Sequence, residues 1–488
     1  MRFTSYKRRR DEPLAMTTFE IGAKDAMGRV GALEVDGRTV STPALMPVVN
    51  PHLHKPDLSE ADIAITNSYI IYTGDSRDEA VEDGVRSVVG DCFDGVVVTD
   101  SGSYQMSVYG GDEIDVSNRE ILEFQREIGT DVATPLDVPT PPDAPLEEAE
   151  EDAETTAERV REAARLYDGY DDAPALNAPV QGSTHDDLRE RSASEAYGNG
   201  DVYPVGAVVP LMSDYRFGDL VDVVLAAKRG LGADAPVHLF GAGHPMVFAL
   251  AVALGCDLFD SAAYALYADE GRYMTPEGTL HVDELDELPC VCQACRGTTP
   301  EEITFDALAQ HNLNVSFAEM RRVREAVRSG SLLELVEARC RAHPDLLGGL
   351  GRLGAHAETV ERYDPVSKSS FFYLGNPRRP EVVRHHERID RFDVGDCVLV
   401  TAGKARGRDC FLLRPPFGPF PPELAETYPL NAEVPDEPDD AAVGSALRGV
   451  GRLVSLNPDA AVTLEHPGWT HPRLDGLRDE GVRTEVAP

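Results

Sequence analysis

Three aspartates close apolar, β-prone runs: Asp100 in GVVVTD (95–100), Asp137 in VATPLD (132–137) and Asp260 in CDLFD (256–260). Gln181, Gly206 and His238 lie in three further runs of the same kind, LNAPVQG (176–182), VYPVGAVVP (202–210) and PVHLFGAG (236–243). A single aspartate at a strand end is commonly a helix cap. Three of them, with an amide, are better explained by one shared pocket, which suggests an enzyme. Ser101 and Gly102 follow Asp100, and residues this small let a ligand approach the backbone. On pattern alone, such carboxylates also fit a glycoside hydrolase.

A second constellation is Cys290-x-Cys292-x2-Cys295 followed by His311. Three thiolates and an imidazole complete a tetrahedral zinc shell with no open position, so the expected metal is structural, one zinc per chain. Packing of small side chains explains this spacing poorly. Gly241-Ala242-Gly243-His244 falls short of a dinucleotide loop, because Met246 stands where that fingerprint needs glycine. His238 reads as a satisfied core histidine, and Cys92, Cys256, Cys340, Cys397 and Cys410 as packed thiols.

The apolar runs alternate with helical periods at 118–128, 146–168, 186–197, 219–229 and 246–254. That alternation predicts parallel βα units closed as a TIM (β/α)8 barrel, whose active sites form at the C-terminal strand ends. A preceding hairpin over 16–50, with Asp36-Gly37 as its turn, is expected to plug one end. Gly271–Leu288 breaks the rhythm and leads into the cysteine cluster, with the zinc-binding stretch expected over about 280–345. The expected organisation is an N-terminal extension (1–15), a catalytic domain (16–350) and a smaller α+β domain (351–488). Within the last, strands are expected at 369–373 and 396–401, and a Pro- and acid-rich linker at 415–442.

The 488 residues carry 85 Asp+Glu against 46 Lys+Arg, a formal charge of −39, and only six of the basic residues are lysines. An acidic excess spread over an ordinarily patterned core points to a halophile's protein, in which concentrated salt screens surface repulsion. Eight clustered cysteines fit a reducing cytoplasm rather than a disulfide framework. The start, MRFTSYKRRRDEP, has no apolar signal segment, and the longest apolar stretch, Met246–Leu254, is too short to span a membrane.

Taken in order, TDSGSYQ, TPLDVPTPPD, VQGSTHDDLR, VGAVVPLM, HLFGAGHPMVFALAVALGCDLFDSA, RYMT, LPCVCQACR and HNLNVSFAEMRRVREAV closely resemble the archaeal tRNA-guanine transglycosylases. These motifs run over roughly 30–345. The resemblance implies a TIM barrel with an inserted zinc subdomain. It also implies exchange of guanine at position 15 of the tRNA D-loop for 7-cyano-7-deazaguanine (preQ0), on the way to archaeosine. By motif alignment Asp260 is the expected nucleophile and Asp100 the acid/base, with the reverse assignment open. Asp137, Gln181 and the backbone at Gly206–Ala207 would read the base, beside Ser101. The expected partners are tRNA, guanine and preQ0, with a homodimer by resemblance and no membrane. Arg321, Arg322 and Arg324, and Arg378, Arg379, Arg384 and Arg388 in the tail, are candidate tRNA contacts. Family members of full length end in an RNA-binding PUA domain, and no segment here resembles one convincingly. Two relatives remain as alternatives: an archaeosine synthase paralogue and a catalytically silent tRNA-binding subunit.

Overall fold

The computed structural model describes residues 17–51, 55–90, 93–103, 116–364, 374–405 and 409–487. The N-terminal extension, the strand expected at 369–373 and the Tyr104-Gln105 end of TDSGSYQ lie outside these residues. The chain divides into two compact units, residues 1–328 with 338–349 and residues 329–337 with 350–488.

The first unit opens with antiparallel β1 (Thr18–Asp25), β2 (Gly28–Val35) and β3 (Arg38–Thr42). Asp36 and Gly37 both take positive φ (47° and 75°), which matches the right-handed twist of the strands that they join. Eight parallel strands follow: β4 (Ala44–Pro47), β5 (Ile63–Asn67), β6 (Val96–Asp100), β7 (Val132–Ala133), β8 (Ala175–Leu176), β9 (Tyr203–Val205), β10 (Val237–Leu239) and β11 (Leu258–Ser261). They form two four-stranded sheets, β5-β6-β7-β8 and β4-β11-β10-β9. Parallel bridges join the sheets at both edges, Val48 with Ile65 on one side, and Asn177 with Val202 and Val180 with Val205 on the other.

The connecting helices span Asn118–Glu127, Leu146–Tyr167, Asp186–Ala196, Phe217–Gly230 and Pro245–Ala253, each close to its expected period. Ser117 and Glu120 close a reciprocal capping box at the first of them. The acidic Leu146–Tyr167 helix turns a stripe of small residues, including Ala149, Ala153, Val160 and Ala163, to the interior. Pro245–Ala253 is buried on nearly every side, as its uniformly apolar sequence requires. Leu33, Val35 and Val40 pack on Val96, Val98, Val132, Ala175, Val202 and Leu258, so the hairpin covers the beginnings of the strands. The strand ends are left for chemistry.

After β11 come the antiparallel pair β12 (Arg272–Thr275) and β13 (Gly278–His281), then a long helix, Phe305–Ser329. In the second unit, β14 (Cys397–Thr401), β15 (Cys410–Arg414), β16 (Gly418–Phe420), β17 (Ala461–His466) and β18 (Arg483–Val486) form one sheet ordered β16-β15-β14-β17-β18. Every pairing in it is parallel except β15 with β16. Helices Asp440–Leu456 and Arg473–Asp479 alternate with its last strands, so this unit is α/β and not the expected α+β. The expected linker also proves to be folded. Phe417, Phe420, Leu430 and Ala432 are buried with Leu374 and Val382, because apolar residues set between its prolines find a core. Among the described residues, no helix is long and apolar enough to cross a membrane.

Candidate active site

Carboxylates at the two ends of the parallel strands have different surroundings. At the strand beginnings, Asp257 is held by the Arg29 guanidinium and Asp131 by that of Arg86, and both also accept backbone amides, Asp257 at 2.8 Å and Asp131 at 2.7 Å. These are structural ion pairs. Asp100, Asp137 and Asp260, at or just beyond the ends of β6, β7 and β11, have no arginine or lysine side chain paired with their carboxylates among the described ion pairs.

Asp100 sits opposite Asn67 in the β5–β6 register. Asn67 Nδ2 donates to Asp100 Oδ2 at 3.1 Å, while Asn67 Oδ1 accepts from Ile70 N at 3.0 Å and caps the Ser68–Thr73 helix. The cap fixes which way the amide faces, so a donor always points at Asp100. Ser68 Oγ donates to the Asp100 carbonyl at 2.7 Å. Gly102 takes φ 86°, and a Cβ there would overlap Tyr69. Buried Ser101 and Ser103 share a hydroxyl contact of 3.0 Å, and Ser103 Oγ accepts from Asp137 N at 3.0 Å, tying two strand ends together.

Burial, followed by the negative charges of Asp137 and Asp260, pushes the Asp100 carboxyl up to about 7, against opposing amide bonds from Gly102 and Ser101. Asp137 is likewise raised by burial, although Gln181 Nε2 donates to its Oδ2 at 2.6 Å. Gln181 Oε1 is buried and takes no hydrogen bond from the described residues, leaving an acceptor beside Asp137. Gly206 is needed because a side chain there would overlap the Gln181 amide, and Ala207 next to it takes φ 57°. Asp260 Oδ1 accepts from His238 Nε2 at 2.8 Å and from Gly241 N at 2.7 Å.

The structure therefore brings Asp137 and Asp260 within electrostatic reach of Asp100, with Gln181 against Asp137. Sequence reasoning missed Asn67 and Ser103 and set His238 aside as core. Asn67 ends IAITN, a polar residue closing an apolar run, which is the signal that flagged the aspartates.

Cys290, Cys292, Cys295 and His311 converge, their ligand atoms all within 4.8 Å of one another. Cys292 Sγ lies 3.6 Å from Cys295 Sγ, and His311 Nδ1 lies 3.7 and 3.2 Å from the two sulfurs. A tetrahedron with Zn–S of about 2.3 Å and Zn–N of about 2.0 Å has edges of roughly 3.5–3.8 Å, so the donor set fits zinc. His311 Nε2 lies 3.0 Å from the Met274 carbonyl, which leaves Nδ1 free to ligate. Tyr273 stacks on the His311 ring at 3.7 Å.

The candidate RNA-contacting arginines divide. Arg321 and Arg322 are exposed, each with one carboxylate partner, Glu60 and Glu319. Arg324 is largely buried and donates to the Pro43 carbonyl at 2.7 Å. Arg378 is exposed. Arg379 is fully buried against Glu381, Glu334 and Glu337, and Arg384 is buried against Asp364. Neither reaches solvent, so both are withdrawn as RNA contacts. Arg388 is half-buried and pairs with Glu361.

A parallel α/β scaffold with buried carboxylates gathered at its strand ends, and a Cys3His cluster after its last strand, is the architecture of an enzyme. The chain belongs to the queuine tRNA-ribosyltransferase family, whose model matches residues 25–345. It is 52% identical to a tRNA-guanine(15) transglycosylase of Haloarcula marismortui over 96% of this chain and 98% of that protein. It is 53% identical to one of Haloferax volcanii over 93% and 92%, and 48% identical to one of Methanosarcina barkeri over 94% and 96%.

Proposed function

We propose that this chain exchanges the guanine at position 15 of tRNA for preQ0 by double displacement at ribose C1′. The contrast between Asp100 and Asp260 carries the reading. A carboxyl raised to about 7 holds or gives up a proton near neutrality, as an acid/base must. A carboxylate whose Oδ1 is held by two hydrogen bonds is fixed in place with its other oxygen left to attack, as a nucleophile must be. In this scheme Asp260 forms a bond to C1′ as the bond from C1′ to the guanine nitrogen breaks, and Asp100 gives its proton to the departing base. The incoming base then returns a proton to Asp100 and displaces Asp260, so configuration at C1′ is retained. Asp137 accepts from base N–H groups, and Gln181 Oε1 supplies a second acceptor.

The same reading takes the two bridged sheets as halves of one (β/α)8 barrel, and Cys290, Cys292, Cys295 and His311 as holding a structural zinc. A homodimer and a cytoplasmic location come with it. Arg321, Arg322 and Arg378 remain its candidates for tRNA contact.

The test is incorporation of labelled preQ0 into unmodified tRNA by purified protein in concentrated KCl. Label should enter, and adenine should not. Absence of incorporation across the KCl range rejects the reading. Most nucleic-acid binders weaken as salt rises, because fewer counterions are released on binding. Here activity should rise severalfold from dilute buffer into molar KCl, as a surface of charge −39 is screened and the fold consolidates. A monotonic fall from dilute buffer upward contradicts the halophilic reading.

The Asp100 shift has a stability sign. Its pKa rises from 3.8 to about 7 on folding, so the folded state holds this proton more tightly. The stability that it confers is complete below about pH 4 and is lost as pH climbs through about 7. Asp100→Asn should therefore gain up to about 4 kcal/mol at pH 8, reduced by whatever solvent reaches the partly exposed carboxylate, while abolishing exchange. Denaturant unfolding of both proteins at pH 5 and pH 8 measures this, and a variant no more stable than wild type at pH 8 removes the argument.

A further inference from the structure

We infer that His238 is a positioning residue that assigns the two oxygens of Asp260 to different jobs and speeds release of the enzyme–ribose ester. The inference rests on the double-displacement reading. Both hydrogen bonds to Asp260 converge on Oδ1, from His238 Nε2 at 2.8 Å and Gly241 N at 2.7 Å. Oδ2 is thereby the oxygen left to attack C1′, and Oδ1 becomes the carbonyl oxygen of the ester.

The imidazole is well determined. His238 is 1% exposed, on β10 beside β11, and its ring meets Phe240 edge-on at 4.5 Å. Its Nδ1 is buried and has no hydrogen-bond partner among the described residues. The Asp260 carboxylate oxygen can only accept, so Nε2 carries the proton of this bond and points it at Asp260. Gly241, which supplies the second donor, takes φ 65°, and a Cβ there would overlap Val209.

Two donors on one oxygen act differently in the two displacements. Negative charge on Asp260 falls as the ester forms and returns as the ester breaks. Hydrogen bonds to the charged carboxylate are stronger than those to an ester carbonyl, so they favour the free carboxylate. Removing one of them shifts the balance towards the ester and slows its displacement by the incoming base. A role limited to aiming the carboxylate has the opposite consequence, because a misdirected Asp260 forms less ester.

The experiment compares wild type, His238→Phe and His238→Gln with tRNA in concentrated KCl. Covalent protein–RNA adduct is quenched in denaturant, then chased with guanine in a second arm, with tRNA affinity measured alongside. Wild type should give a chaseable adduct. In His238→Phe the trapped fraction should rise and the chase should slow by about tenfold to a hundredfold, the loss expected for one hydrogen bond to a charged group. His238→Gln, which still presents an N–H, should recover most of the chase rate. A wild-type chase rate in His238→Phe overturns the inference, as does less adduct with tRNA affinity retained, or failure of glutamine to recover the rate in protein that binds tRNA. No adduct in wild type, with exchange intact, would count instead against the covalent mechanism itself.

Discussion

Asp260→Asn should lose at least about a thousandfold in guanine exchange while tRNA affinity stays within a few fold of wild type, as befits removal of a covalent nucleophile. Asparagine is the informative replacement. Its Oδ1 can still accept from His238 Nε2 and Gly241 N, which hold that oxygen at 2.8 and 2.7 Å. The fold around the site is then undisturbed, and what disappears is the charge on the attacking oxygen. Asp260→Ala should be as inactive and also less stable by about 1–3 kcal/mol, because the buried His238 Nε2 loses its acceptor. Exchange assays with labelled guanine, RNA binding and denaturant unfolding separate these effects. Near-native exchange in Asp260→Asn would make Asp100 the nucleophile, and trapping the adduct on each variant would then locate the ribose.

The pattern of residues carried the first unit well because its elements are periodic and its chemistry sits where the period ends. Aspartates closing GVVVTD and CDLFD are at the ends of β6 and β11, and five helices lie close to their sequence periods. The strands are shorter than the apolar runs. Pairing in β7 covers only Val132–Ala133, since the prolines of TPLDVPTPP lack the donors to continue a ladder, and Asp137 is carried on the loop beyond. His238 is the buried, satisfied histidine that its run suggested, but its partner, Asp260 on β11, is set across strands, and no local spacing reports that.

The tail shows the same limit. RRPEVVRHHER reads as a basic surface, yet Arg379 is buried by Glu334, Glu337 and Glu381, and Arg384 by Asp364. Glu381 within the motif, together with Glu334, Glu337 and Asp364 outside it, turned apparent RNA contacts into interior ion pairs, as a buried guanidinium requires. The sheet of the second unit was unreadable for a related reason. Parallel β14 and β15 are joined across 402–409 with no described helix between them, so the βα alternation that revealed the first unit is missing there.

The zinc site gives the second large effect. Purified protein should hold about one zinc per chain, and Cys292→Ser should lose it, since a serine hydroxyl replaces a thiolate in a closed four-ligand shell. Structural zinc of this kind contributes on the order of 10 kcal/mol to the folding of small zinc modules, so few other contacts in the module could compensate. Here the affected segment is β12, β13, the cysteine loop and the start of the Phe305–Ser329 helix. Tyr273, stacked on His311 and 3.4 Å from Cys295 Sγ, would be a direct reporter of its collapse. The carboxylates are carried by β6, β11 and the loop after β7, outside that segment, and Asp137 keeps its bond from Gln181. Cys292→Ser should therefore retain preQ0 binding within a few fold while tRNA affinity falls sharply, because exposed Arg321 and Arg322 stand on the helix that carries His311. Metal analysis, preQ0 titration and RNA binding on the same preparation decide it. A zinc-free variant with wild-type exchange would show that the cluster serves neither the fold nor the RNA. Loss of preQ0 binding in step with tRNA binding would instead place the zinc module in direct support of the carboxylates.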